Sequence, residues 1–90
     1  MEHDQIVKYL DSFSILNSKW KPTLLILIGD RNLSFNKIKQ LIPNISDKVL
    51  SENLRQLLEV GLLHKEAKYF LSEKGKSLIL ALKILPEILN

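Results

Sequence analysis

The sequence contains no cysteine, which excludes disulfides, thiolate metal sites and any thiol-based redox switch. Long hydrophobic runs are missing too, because the longest ones, Leu24 to Ile28 and Leu78 to Leu82, fall far below the ~20 residues that span a bilayer. The first residues, Met1-Glu2-His3-Asp4, are polar and show no signal-peptide pattern. Together these absences predict a cytoplasmic protein with no membrane contact.

Motifs of catalysis and cofactor binding are also absent. The sequence has no Gly-x-Ser-x-Gly and no glycine-rich loop of the kind that cradles phosphate. Its two histidines, His3 and His64, lie far apart, and His64 with Glu66 would supply only two ligands to a metal ion. We therefore expect no enzymatic activity, no cofactor and no metal site.

The composition sets only broad limits on what is there. Ninety residues form one domain with a modest core, since a chain this short buries only a little over ~60% of its unfolded surface. Hydrophobic residues make up 46% of the chain and crowd towards its two ends. Thirteen basic residues against ten acidic ones give a net charge of +3. This charge is compatible with a polyanionic partner, although many proteins without such a partner share it.

Apolar spacing predicts helices in the first half of the chain. Apolar residues at steps of three and four predict one helix over 4–17, and a second helix over 18–28 ends at Gly29 in a left-handed conformation. Leu33 to Phe35 is expected to be short and extended. A third helix over roughly 36–42 follows, capped by Ser34 or Asn36 and stopped by Pro43.

The second half predicts a recognition helix and a hairpin. Ser46 has the form of an N-cap for a helix that runs to Val60. Short strands over 62–65 and 69–71 are joined by the turn Glu66-Ala67-Lys68. Ser72 caps a last helix that Pro86 kinks or ends.

This order predicts one winged helix-turn-helix domain over 1–90, of the α+β class and mostly α. Its parts are a helix-turn-helix at about 36–60, a short two-stranded wing at 62–71, and dimerisation helices at 4–17 and 73–89.

Several short fragments, spread over about two thirds of the chain, carry a family resemblance. In order they are Lys19-Trp20, Leu24 to Leu27, Leu33 to Ile38, Ile42 to Ser46, Val49 to Leu54, Leu57, Gly61 to Leu63 and Leu71 to Gly75. In their order and spacing they resemble the HxlR-type family of winged-helix transcriptional regulators, relatives of the MarR group. The resemblance implies DNA binding by a homodimer without enzymatic activity.

Two departures from the family pattern matter. The family usually carries a cysteine before the Trp-containing helix, and its absence here excludes thiol sensing. The family wing is also longer and richer in arginine and proline. The short turn at 66–68 favours contact with backbone phosphate over deep insertion into the minor groove.

The predicted helix over 46–60 separates into two faces. At about 100° per residue, its leucines gather on one side and its charged residues on the other. A recognition helix reads base edges mainly through its first turns. The candidate base-reading residues are Ser46, Asp47, Lys48, Ser51, Glu52 and Arg55. Lys48 can donate to guanine O6 or N7, Glu52 can accept from cytosine N4, and Ser51 suits either role.

This helix cannot hold DNA alone, because its two basic and three acidic residues give it a net charge of −1. Flanking cations must supply the remaining affinity through phosphate contacts. The candidates are Lys19, Lys21, Arg31, Lys37, Lys39, His64, Lys65 and Lys68. The alternative interpretation is that these cations only keep the protein soluble and that the helix face is a solvated polar surface.

The last helix is apolar nearly all round, and one small domain cannot cover all of it. We therefore predict that helices 4–17 and 76–89 of two chains pack around a two-fold axis, with recognition helices ~34 Å apart over a near-palindromic site. The predicted interface residues are Ile6, Leu10, Phe13, Leu78, Leu82, Leu85 and Leu89. The alternative is that these helices complete a monomeric core. A cleft beside them could hold a small-molecule effector, but no residue pattern requires one.

The leading hypothesis is therefore a homodimeric, sequence-specific regulator of transcription that binds double-stranded DNA. The alternative is a winged-helix protein-interaction module that does not bind DNA. The acidic residues of the recognition helix and the short wing favour this alternative.

Overall fold

The computed structural model describes Ile15 and residues 18–89, with the backbone alone at 82 and 84–89. The elements within residues 18–89 are α1 (Lys21–Ile28), α2 (Phe35–Leu41), α3 (Asp47–Glu59), β1 (Leu63–Lys65), β2 (Tyr69–Leu71) and α4 (Glu73–Leu89). Helices α2 and α3 form the helix-turn-helix, and β1 and β2 form the wing. The predicted α+β, mostly α, winged helix-turn-helix fold is confirmed. The predicted helix over 4–17 lies outside the described residues except for Ile15.

Serine side chains cap three of the four helices within residues 18–89. Ser34 Oγ accepts a hydrogen bond from the Lys37 backbone N–H, and Ser46 Oγ accepts one from the Val49 N–H, both at 3.1 Å. Ser72 Oγ accepts from the Gly75 N–H at 2.9 Å. Each serine thus satisfies one of the amide donors that a helix leaves unpaired at its first turn.

At Pro86 the sequence left two outcomes open, a kink or a helix end, and the structure excludes the second; the end of α1 differs from the prediction. Helix α4 continues past Pro86 to Leu89, so the proline does not end it. It lies in the last turn, where its missing N–H removes only one bond near the helix end. Gly29 ends α1 with φ 41° and ψ −127°, which is not the expected left-handed helical geometry. Asn32, three residues later, also has a positive φ, of 54°.

A small sheet links the wing to the helix-turn-helix. Strands β1 and β2 pair antiparallel, with Leu63 opposite Leu71 and Lys65 opposite Tyr69. Leu33 adds a bridge on the other side of β2, with N–H to O=C distances to Tyr69 of 3.0 and 2.8 Å. The residue immediately before the N-cap of α2 is therefore held by the base of the wing.

One hydrophobic core lies between α1, α3, the wing and α4. Helix α1 buries Leu24, Leu25 and Ile28 and contacts β2, α3 and α4. Trp20 is half-buried against this core, in the anchoring role expected of a tryptophan.

Their apolar character predicts that Phe35 and Phe70 both lie in the core, but the two side chains have different positions. Phe35 packs half-buried against the core, but Phe70 lies on the outer face of β2. Successive side chains of a strand point to opposite faces, so Tyr69 and Leu71 are buried and Phe70 is turned towards His64, with ring centroids 5.5 Å apart.

The end of α3 and the start of α4 are held together at a tight junction. Ser72 is buried, and its hydroxyl donates to the Gly61 carbonyl at 2.6 Å. Its backbone N–H donates to the Leu62 carbonyl at 3.1 Å. Gly75 approaches the same carbonyl so closely that a Cβ at this position would lie 2.2 Å from the Leu62 oxygen. Only glycine fits at Gly75 without movement of the backbone.

We predict that Gly75→Ala lowers the free energy of unfolding by about 1–3 kcal/mol, because the added methyl group forces α4 away from the Leu62 carbonyl. Chemical denaturation at a fixed protein concentration measures the change. Ser77→Ala, at an exposed position of the same helix, is the control and should stay within about 0.5 kcal/mol of the parent. Equal stability of the two variants would contradict the close approach.

Candidate nucleic-acid interface

Helix α3 has the two faces that the sequence predicts. Leu50, Leu54 and Leu57 are buried in the core. The outward residues Lys48, Ser51, Glu52, Arg55 and Glu59 are all exposed. Asn53 is half-buried beside the leucines, and its side-chain amide donates to the Val49 carbonyl at 2.8 Å. The leucine face therefore fixes the charged face of α3 towards solvent.

The first turn of α3 is tied to α2. Lys39 Nζ lies 3.2 Å from Asp47 Oδ1 and also donates to the Ile45 carbonyl. Ser46 caps the helix through its contact with Val49. Two of the six predicted base-reading residues, Ser46 and Asp47, thus already have partners within the helix-turn-helix.

A second ion pair lies further along the outward face of α3. Arg55 Nη1 contacts Glu59 Oε1 at 2.5 Å, and both side chains are exposed. Lys48, Ser51 and Glu52 make no side-chain hydrogen bond or ion pair with any other part of the chain that the structure describes. The base-reading candidates therefore divide into three engaged residues and three unengaged ones.

The predicted phosphate-binding cations also divide by their contacts. Arg31 folds back and donates from Nε and Nη2 to the Leu27 carbonyl at 3.1 and 2.7 Å. Lys39 is held at the turn between α2 and α3. Lys19 lies over the Trp20 ring, 5.2 Å from its centroid. Cations with such contacts have less freedom to reach a phosphate than cations without them.

The remaining candidates lie in α1, in α2 and on the wing. Lys21 is half-buried in the first turn of α1, and Lys37 is exposed on α2. Every residue from His64 to Lys68 is exposed, and Lys65 lies over the Tyr69 ring at 5.1 Å. The Glu66 N–H donates to the Lys68 carbonyl at 3.1 Å and closes a loop of only three residues. The wing is thus a short, exposed and basic projection.

Part of the predicted dimer interface falls within the domain itself. Leu78 is half-buried against the core of its own chain. Ile6, Leu10 and Phe13 lie outside the described residues, as do the side chains of Leu82, Leu85 and Leu89.

An apolar groove that the sequence analysis missed lies between α1, β2 and α4. Its volume is about 330 Å³, and its lining includes Ile26 and Leu80, which are 55% and 61% exposed. Lys76, Lys83 and Asp30 also line it. The run Leu24 to Ile28 was the available signal, because five consecutive apolar residues of a helix point to all of its sides and cannot all face the core.

None of the helices within residues 18–89 combines the length and apolar character needed to cross a membrane.

Comparison with known proteins places this geometry in a family. Residues 15–89 match the family model described as HxlR-like helix-turn-helix. The chain belongs to this family. An uncharacterized HTH-type transcriptional regulator of Methanothermobacter thermautotrophicus is 36% identical over 80 residues, which cover 80% of this chain and 61% of the relative. The chain thus spans about six tenths of that relative's length.

Solved structures of regulators share the fold. The quinone-bound YodB of Bacillus subtilis superposes with a TM-score of 0.82 at 28% identity, covering 89% of this chain and 92% of YodB. The redox regulator HypR in its oxidized form gives a TM-score of 0.75 at 26% identity, covering 89% of this chain and 94% of HypR. The resemblance to HxlR-type regulators is confirmed, and these relatives are transcriptional regulators, a class without enzymatic activity.

We predict that Ser46→Ala lowers the free energy of unfolding by about 0.5–2 kcal/mol, because the Val49 amide at the start of α3 loses its acceptor. Ser51→Ala is the control: Ser51 is exposed in the interior of the same helix, where alanine is favourable, so this variant should be at least as stable as the parent. Urea denaturation of both variants measures the difference. If Ser46→Ala were as stable as Ser51→Ala, the cap would have no energetic role.

Proposed function

We propose that this HxlR-family chain is a sequence-specific regulator of transcription that binds double-stranded DNA as a homodimer, with α3 in the major groove. The observation that carries the proposal is the outward face of α3, where Lys48, Ser51 and Glu52 are exposed and unengaged near the start of the second helix of a helix-turn-helix. A recognition helix contacts base edges with this part of its surface. Such a regulator acts where the chromosome is, which supports a cytoplasmic location.

Base reading falls to the three unengaged residues. Lys48 and Glu52 are one helical turn apart, so their side chains are neighbours on the same face. Lys48 donates to guanine O6 or N7, Glu52 accepts from cytosine N4, and Ser51 lies between them. Ser46, Asp47 and Arg55 contribute less because a cap or an ion pair already holds them.

Binding strength comes from cations around the reading face. Lys37 on α2, Lys68 on the wing and Lys21 at the start of α1 supply positive charge that α3 lacks. Lys19 and Lys65, which lie over aromatic rings, add positive charge with less freedom to reach a phosphate. A protein that neutralises phosphates releases counterions, and each contact adds about 0.9 to the slope of log affinity against log salt. A dimer with about six to ten such contacts binds usefully at low salt and loses affinity steeply as salt rises.

A homodimer would cover apolar surface that one domain leaves exposed. Ile26 and Leu80 lie on one groove that includes α4, the helix predicted for dimerisation. Exposed apolar patches of this kind mark interaction sites in soluble proteins. A two-fold dimer through α4 presents two copies of α3 to successive major grooves, ~34 Å apart.

We predict that the protein binds random duplex DNA at low salt and that its affinity falls steeply with rising salt, as measured by fluorescence anisotropy across a salt series. Lys68→Ala should weaken binding to all sequences alike and lower the salt slope by about 0.9 per subunit, because one phosphate contact is lost. Absence of binding at low salt, or binding that does not depend on salt, would favour the protein-interaction module instead.

Lys48→Ala provides the contrast to the wing variant. It should change the preferred site and cost about 1–3 kcal/mol at particular base pairs, because it removes a base contact. Binding selection from a random duplex library measures the preference. A uniform loss across all sequences would make Lys48 a phosphate contact.

We predict a dimer in analytical ultracentrifugation at micromolar concentration. Leu80→Asp should shift the equilibrium towards monomer, because it places a charge in the proposed apolar interface. Leu41→Asp is the matched control, since Leu41 is also an exposed leucine but lies at the end of α2, away from the groove. A monomer-sized species for the parent, or equal effects of the two substitutions, would contradict an interface on α4.

A further inference from the structure

Lys39 connects the two helices of the helix-turn-helix. It belongs to α2, yet its ammonium group contacts the Asp47 carboxylate in the first turn of α3 at 3.2 Å. The same group donates to the carbonyl of Ile45, a buried residue of the turn between the helices. Two of the three ammonium donors of Lys39 are therefore used inside the motif.

Lys37, two residues earlier, is a useful comparison. It is exposed, and its side chain makes no hydrogen bond or ion pair with the described part of the chain, whereas the Lys39 side chain is only 27% exposed. Both lysines belong to the short helix α2. Only Lys37 has the freedom expected of a phosphate contact.

Asp47 explains why the contact matters for DNA. A carboxylate in the first turn of a helix interacts favourably with the helix dipole and so helps α3 to begin. The same carboxylate is 76% exposed at the end of α3 that enters the groove, where it would repel phosphate. A cation that holds Asp47 leaves the helix start intact and cancels the repulsion.

We propose that Lys39 is a positioning residue that acts through Asp47: it fixes the first turn of α3 against α2 and neutralises the carboxylate that would otherwise oppose DNA. This inference rests on the proposed function, and it removes Lys39 from the phosphate contacts. Exposed ion pairs contribute little to folding stability, so the effect belongs mainly to DNA binding.

A double-mutant cycle on the full chain tests the proposal. Lys39→Gln, Asp47→Asn and the double variant are compared with the parent for binding to one duplex, each across a salt series. We expect Lys39→Gln to weaken binding several-fold in the parent and to have little effect in the Asp47→Asn background. In the Asp47→Asn background, where no carboxylate remains to repel phosphate, Lys39→Gln should also leave the salt slope unchanged, because no phosphate contact is lost.

Lys37→Gln, made in the same two backgrounds, is the matched control. As a phosphate contact it should weaken binding equally with and without Asp47 and should lower the salt slope by about 0.9 per subunit. Lys39→Arg should bind like the parent, since arginine can also hold the carboxylate. Thermal unfolding of every variant checks that the folded fraction is unchanged at the assay temperature.

The results separate the possible failures. If Lys39→Gln costs as much in the Asp47→Asn background as in the parent and lowers the slope as Lys37→Gln does, Lys39 is a phosphate contact and the positioning role is overturned. If Lys39→Gln fails to fold, the Lys39→Arg and Asp47→Asn variants decide: strong loss of binding in either overturns the proposal. If the parent protein does not bind duplex DNA at low salt, the proposed function itself is wrong.

Discussion

Burial of three leucines of α3 determines how this protein can present itself to a partner. Leu50, Leu54 and Leu57 pack into the core together with α1, and a helix anchored along one side has no freedom to rotate. The direction of Lys48, Ser51 and Glu52 follows from this packing and not from any contact of their own. Burial of each such side chain stabilises the fold by about 1.5–3 kcal/mol, whereas substitutions on the exposed face change stability little.

Ion pairs neutralise most of the acidic groups on the exposed face of α3. Helix α3 carries more acidic than basic residues, which would oppose binding to a polyanion. The structure pairs Asp47 with Lys39 and Glu59 with Arg55, so two of the three acidic groups lie beside a cation. What remains is one lysine and one glutamate a single turn apart. The base-reading surface of α3 is therefore nearly neutral and lies within a basic domain. For this reason the net negative charge of α3 does not conflict with the proposed DNA partner.

The sequence was sufficient for the fold because its signals are local. Ser34, Ser46 and Ser72 cap helices through contacts three residues away, and the leucine spacing of α3 reads directly as a buried face. The features that the sequence did not predict depend on contacts between distant residues or on how an element packs. Lys39 and Lys37 look alike in sequence, but only the fold brings Lys39 to Asp47. Phe70 is apolar but falls on the outer side of its strand. Ile26 is exposed because it belongs to a run of five apolar residues that points to every side of its helix.

The bridge between Leu33 and Tyr69 has a consequence for how the wing can evolve. Tyr69, the first residue of β2, is paired on both sides, with Lys65 and with Leu33. The strand pairs therefore do not include the turn residues Glu66, Ala67 and Lys68, which are exposed, and the core does not depend on them. Loop tips of this kind tolerate inserted residues. Inserting or removing residues at this turn would change how far the hairpin reaches along a groove, while the core around the leucines of α3 would stay the same. The area of contact with a ligand can therefore change without a change in stability.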